Sequence, residues 1–236
     1  METSEGTAPG AFLAIWHDIV PGAEAEFERW HTGEHMPERL SLPGFARGRR
    51  GYASHGDRQR YVTLYEGADL STFDSAPYRE RLDHPTPWTV RVLPSFRDFA
   101  RVACETVGAA GAGVGGATAT LRLALGDGAR ESLRELGPAT AARLVELDGV
   151  SSVLVGLVRP DVTSGPTSET GLRPSVDPDR VDAVVVVDGI GERQLEAVLP
   201  AVRDVVEGVG GTVRAADVYA LSFLLRPPAA EGAPDA

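Results

Sequence analysis

Residues 108–116 read Gly-Ala-Ala-Gly-Ala-Gly-Val-Gly-Gly, a stretch almost without side chains, and the sequence on either side of it follows the same pattern twice. Before it, alternating or β-rich segments at 11–19, 45–54, 61–66 and 95–107 enclose helix-like segments at 23–35 and 70–82. After it, strand-like segments at 117–125, 150–158, 181–188 and 213–225 enclose helix-like ones at 129–147 and 192–206. Each half has the order βαββαβ, and equivalent elements lie about 105 to 110 residues apart, far longer than a solenoid repeat, so the chain reads as a duplicated domain. The glycine stretch suits a flexible crossing from one copy to the other.

A four-stranded antiparallel sheet with both helices on one face leaves its other face bare, and two such sheets solve this by packing face to face. The expected fold is therefore α+β: ferredoxin-like repeats at 11–107 and 117–226, linked by 108–116, packed sheet to sheet as a pseudo-dimeric α/β barrel. The stretch 159–180, rich in Pro, Ser, Thr and Gly, reads as a long loop between two strands of the second repeat. Loops of that length are usually functional or disordered. Residues 227–236 read as a disordered tail.

Composition narrows the function. The chain has 236 residues and a formal net charge of −11, which argues against nucleic acid and anionic membranes as partners. No apolar run approaches the roughly 20 residues of a membrane span, and 1–10 lacks a basic start or an apolar core, so a soluble cytoplasmic protein is expected. The one cysteine, Cys104, excludes an intrachain disulfide and any cysteine-rich metal site. All 23 bases are arginine, which removes lysine Schiff-base chemistry. Glycines 111, 113 and 116 match GxGxxG on paper, but a strand follows where a dinucleotide site demands a helix.

The candidate chemistry is confined to the first repeat. All five histidines and all three tryptophans lie within the first 88 residues, so the second repeat reads as mainly structural. In the segment 30–39, WHTGEHMPER, His31, Glu34, His35 and Glu38 share one helix face if the helix survives Pro37. A His pair at i, i+4 can serve as acid or base, chelate a metal with Glu34 or Glu38, or be merely structural. Strand alternation puts Trp16 and Asp18 on one face of the first strand and His17 on the other. Arg49 and Arg50, on the second strand, are candidates for binding a carboxylate or enolate. After the second helix, His84-Pro85-Thr86-Pro87-Trp88 reads as a rigid extended loop that could close a pocket with His84, Trp88 and Arg91. Tyr52 and Tyr65 complete the expected substrate-binding set.

The segments WHTGEHMPERLSLPGF, GRRGY and HPTPWTVR together resemble the EthD-like and related dimeric α/β-barrel proteins, over roughly residues 11 to 107. That resemblance implies His35 as the helix histidine of the motif, His31 one turn earlier, and Pro43-Gly44-Phe45 as the turn that follows. It places the chain in a superfamily of cofactor-independent monooxygenases, isomerases, polyketide cyclases and haem enzymes. The haem enzymes of duplicated form take their axial histidine from the second copy, which here has none.

The leading expectation is a cofactor-independent isomerase, cyclase, lyase or monooxygenase acting on an aromatic or polyketide-like compound. His35 or His31 would be the acid/base, with Arg49 or Arg50 on an enolate-like oxygen and His84 in support. Trp16, His17, Tyr52, Tyr65, Trp88 and Arg91 would bind the substrate, with no metal and no cofactor. The alternatives are a non-catalytic barrel that binds a small ligand or partner, and a His-dependent metalloenzyme. A homodimer is possible.

Overall fold

The computed structural model describes residues 8–162, 165–173 and 180–227. The first repeat runs β1 (Ala11–Ile19), α1 (Glu24–Trp30), α2 (Met36–Leu40), β2 (Phe45–Tyr52), β3 (Tyr61–Gly67), α3 (Ala76–Asp83), α4 (Pro87–Val92) and β4 (Phe96–Gly111). The second runs β5 (Ala117–Leu125), α5 (Ala129–Val145), β6 (Val150–Val158), α6 (Ser168–Leu172), β7 (Ala183–Gly189), α7 (Glu192–Gly208) and β8 (Gly211–Leu225). The eight strands and α1, α3, α5 and α7 follow the expected order, whereas α2, α4 and α6 were not expected. The tail beyond 227 lies outside the described residues. No described helix is long and apolar enough to cross a membrane.

The eight strands form one closed barrel in the order β1-β3-β2-β8-β5-β7-β6-β4, with β4 returning to β1. All eight pairings are antiparallel. Each repeat forms one four-stranded sheet, and the β2–β8 and β4–β6 pairings join the two, so that neither sheet keeps an open edge. The crossing between the repeats is shorter than expected, confined to 112–116. β4 continues through Gly111, and Gly108 to Gly111 pair with Val155 to Ser152 of β6. Glycine is needed there because a Cβ on Gly108 would lie 2.1 Å from the carbonyl oxygen of Gly137, so α5 rests directly on β4.

Strand alternation divides the molecule into layers. Phe12, Trp16, Leu64, Val102, Val186 and Tyr219 fill the barrel interior, where Trp16 Nε1 donates to Thr120 Oγ1 at 2.9 Å. The opposite faces pack against the helices. In the second repeat that outer layer is aliphatic throughout, with Leu121, Val155 and Val185 under Leu133 and Val202. In the first repeat it is aromatic and polar, and it contains the cavity described next.

Two local expectations are corrected. Helix continues past His35 into α2, with Pro37 in the first turn of that segment. The two helices join through a π-turn at His31–His35, in which the Met36 N–H reaches the His31 carbonyl. The Pro85–Trp88 region is not extended either. Thr86 caps α4 by accepting from the Thr89 N–H at 3.0 Å, and Pro87 is its first residue.

Candidate functional site

Between the outer face of the first sheet and α1–α4 lies a cavity with about 40 Å³ open to the centres of water-sized molecules. Its floor is Ile15 and His17 of β1, Thr63 and Tyr65 of β3, and Phe99 and Arg101 of β4. The pairing register sets them side by side: Ile15 lies opposite Thr63 on one flank and opposite Arg101 on the other. Trp30, His31, His35 and Arg39 close it from the α1–α2 helix, and Tyr78 and Leu82 from α3. Leu93 and Phe96 add to the lining, and one wall comes from the second repeat. The connection between β6 and β7 crosses to the first repeat and places Glu169, of α6, and Arg173 in the lining.

The π-turn presents His31 and His35 on the same side, with ring centroids 5.7 Å apart. His35 packs against Trp30 with ring centroids 4.3 Å apart, and its enclosed Nδ1 has no hydrogen-bond partner among the described residues. His31 sits at the end of a directional chain. Arg50 Nη1 lies 3.3 Å from His31 Nδ1, and a guanidinium can only donate, so Nδ1 accepts and the ring proton is on Nε2. That Nε2–H faces the Tyr65 hydroxyl oxygen across a long 3.5 Å contact, leaving the hydroxyl proton of Tyr65 free to donate elsewhere.

The electrostatics follow from burial. Burial holds His31 well below the usual imidazole range, and the nearby Arg50 adds to the effect. His35 is depressed the same way, by burial and then by Arg39. His17, packed among Phe27, Tyr61 and Phe96, falls to about 3, chiefly through burial. All three rings are neutral near pH 7, able to accept protons but contributing no charge. Burial also raises the Tyr65 hydroxyl far above its ordinary value, so it remains a donor.

The structure brings together His17, His31, His35 and Tyr65 of the residues expected from sequence. It separates the others. Trp16 faces the barrel interior. Arg49 does too, bonded to Asp188 of β7 at 2.8 Å and 3.5 Å from Glu66. Arg50 stands behind His31, held by Thr32 Oγ1 and Ser222 Oγ, and does not line the cavity. Tyr52 packs on Tyr61 and accepts from Arg60 outside the cavity. Trp88 donates to Glu26 at 2.7 Å, while His84 and Arg91 lie exposed on the outer helices. The carboxylates proposed for a metal have other partners: Glu34 accepts from Thr86, and Glu38 lies 3.7 Å from Arg81 and 3.9 Å from Arg39. Among the described residues no three His, Cys, Asp or Glu side chains gather as a metal site requires.

Sequence reasoning missed Arg39, Arg101, Glu169 and Arg173. A signal existed for Arg101, because alternation along β4 places it on the face of Phe99, opposite the His17 side of β1. For Glu169 and Arg173 the only hint was the length of their loop.

No protein-family model matches the chain, and no curated protein sequence matches it. Solved structures of similar shape do. An anthrone oxidase-like protein superposes with a TM-score of 0.63 at 11% identity, covering 96% of each chain. A putative monooxygenase from Lactobacillus acidophilus NCFM gives 0.52 at 10% identity, over 92% of this chain and 96% of that one. A putative chlorite dismutase gives 0.54 at 7% identity, over 92% and 96%. At such identities the likeness is one of fold, and it is the fold of the dimeric α/β-barrel proteins, built here from two ferredoxin-like halves of one chain.

Proposed function

We propose that the protein is a small-molecule enzyme that abstracts a proton from carbon, with His35 as the base and Tyr65 as the donor to the developing oxyanion. The observation that carries this reading is that one cavity is lined both by His35, whose enclosed Nδ1 has no partner among the described residues, and by Tyr65, whose hydroxyl oxygen faces His31 Nε2. In the step, the C–H proton passes to His35. The electron pair of that bond moves into the adjacent carbonyl, and the resulting enolate oxygen accepts from Tyr65. Arg50 acts through His31 by fixing its tautomer, which is a positioning role in place of the direct enolate contact expected from sequence.

The enolate so formed leads to isomerisation, cyclisation or elimination, or to attack on dioxygen as co-reactant. A planar aromatic or polyketide-like ketone suits the aromatic walls, and the anthrone oxidase-like and monooxygenase-like neighbours, together with the EthD-like motif around His35, are compatible with this class. His35 and Tyr65 supply both proton positions of this step, so it calls on no cofactor.

The test is hydrogen–deuterium exchange at the acidic carbon of 2-tetralone, an enolisable aromatic ketone, followed by NMR in D2O, with oxygen uptake recorded in parallel. Wild-type protein should accelerate exchange, and His35→Gln should lower the rate by about 100-fold or more. Tyr65→Phe should lower it while leaving ligand binding in place. Exchange that is unchanged in His35→Gln would remove the base assignment and favour a non-catalytic binding role.

A further inference from the structure

The cavity of this acidic protein is cationic. Arg39, Arg101 and Arg173 line it, against the single carboxylate of Glu169 among the described lining residues, which leaves a formal excess of two positive charges. Glu169 ion-pairs with Arg39 and lies 3.6 Å from Arg173, so its one charge is already shared. Among the described residues, the enclosed Arg101 Nε and Arg173 Nε have no hydrogen-bond partner, and Arg39 Nη1 has only an ion-pair contact with Glu38 at 3.9 Å. Buried guanidinium donors without acceptors are costly, and folding tolerates them where a ligand supplies the missing acceptors.

We propose that these three arginines form a subsite for the carboxylate, or an equivalent anionic oxygen pair, of a planar aromatic substrate, with the second repeat supplying one wall. Arg173 stacks over Phe99 with its guanidinium carbon 4.0 Å from the ring centroid. A guanidinium held face-on to a ring keeps its in-plane N–H edge for a bidentate acceptor. Arg39 and Arg101 flank Tyr78 at 5.5 and 5.8 Å, so the cations alternate with aromatic faces that suit the ring of the same ligand. Burial lowers Arg173 to about 10, with Arg101 adding repulsion, and it remains charged near pH 7. This subsite rests on the small-molecule reading of the cavity but not on the identity of the base.

The experiment is isothermal titration of the full chain with benzoate and with benzamide, two ligands of nearly equal shape that differ in charge. Benzoate should bind at least about tenfold more tightly, a difference of about 1.4 kcal/mol. Arg173→Gln should erase that selectivity, whereas Arg173→Lys should retain part of it. Equal affinities, or no binding of benzoate, would overturn the proposal, as would inorganic phosphate binding as tightly as benzoate. The wild-type comparison needs no variant, so a misfolded mutant leaves it decisive. Because His35→Gln should keep the benzoate preference while losing exchange, loss of selectivity and loss of catalysis report on the two proposals separately.

Discussion

Arg39 on the α1–α2 helix forms a buried ion pair with Glu169, which reaches it from the second repeat across 130 residues of sequence. Both side chains are about 97–98% enclosed, so the contact ties the β6–β7 connection to the first repeat at the edge of the cavity. Breaking a buried pair leaves an uncompensated charge. Glu169→Gln should therefore destabilise the protein by about 3 kcal/mol in urea unfolding. It should also strengthen benzoate binding, since the competing carboxylate is gone.

The ion pair inside the barrel should behave differently from a cavity residue. Asp188 accepts from Arg49 at 2.8 Å, Thr118 at 2.6 Å and Ser152 at 2.9 Å, and so joins the two repeats across the barrel interior. Asp188→Ala should cost about 3 kcal/mol by leaving Arg49 with only its 3.5 Å contact to Glu66. The double variant Arg49→Met, Asp188→Leu should be less destabilised than the sum of its single changes, as a double-mutant cycle in urea would show. Neither change should alter the exchange rate of the folded protein at saturating ketone.

Stability should depend on pH through the three buried histidines. Their folded pKa values lie below the ordinary 6.5, so the unfolded chain takes up protons first. The stabilisation they give is complete above about 6.5 and is lost as pH falls from there, continuing towards about 3 for His17. A plot of Tm against pH should fall over that range, and His17→Leu should flatten it. An equal slope in that variant would mean His17 is not buried neutral.

The tautomer of His31 is open to direct observation. Long-range 15N–1H NMR should show the proton on Nε2 of His31, because Arg50 occupies Nδ1. Arg50→Ala should release that constraint and produce a mixture of tautomers. A proton on Nδ1 in the wild-type protein would break the chain that leaves Tyr65 free to donate.

The sequence by itself determined the duplication, the element order and the two sides of each strand, because period-2 and helical patterning are local properties of the chain. The aliphatic outer strands of the second repeat and the aromatic, histidine-bearing ones of the first were legible in the same way, and so was the shared face of His31 and His35. The order in which α4 replaces an extended Pro85–Trp88 loop was written there too, in the cap Thr86 and the first-turn Pro87, but two prolines outweighed it.

What only the tertiary structure decided is which neighbours meet. Arg49 and Arg50 are adjacent in sequence yet point to opposite sides of the barrel wall, and strand pairing across β2–β8 and β3 settles which side is the cavity. Glu169 and Arg173 carry no local mark of function. They enter the cavity because the β6–β7 connection is long enough to cross to the first repeat, where buried arginine and aromatic faces reward the contact. Such pairings join residues more than 100 positions apart, and no local pattern encodes them.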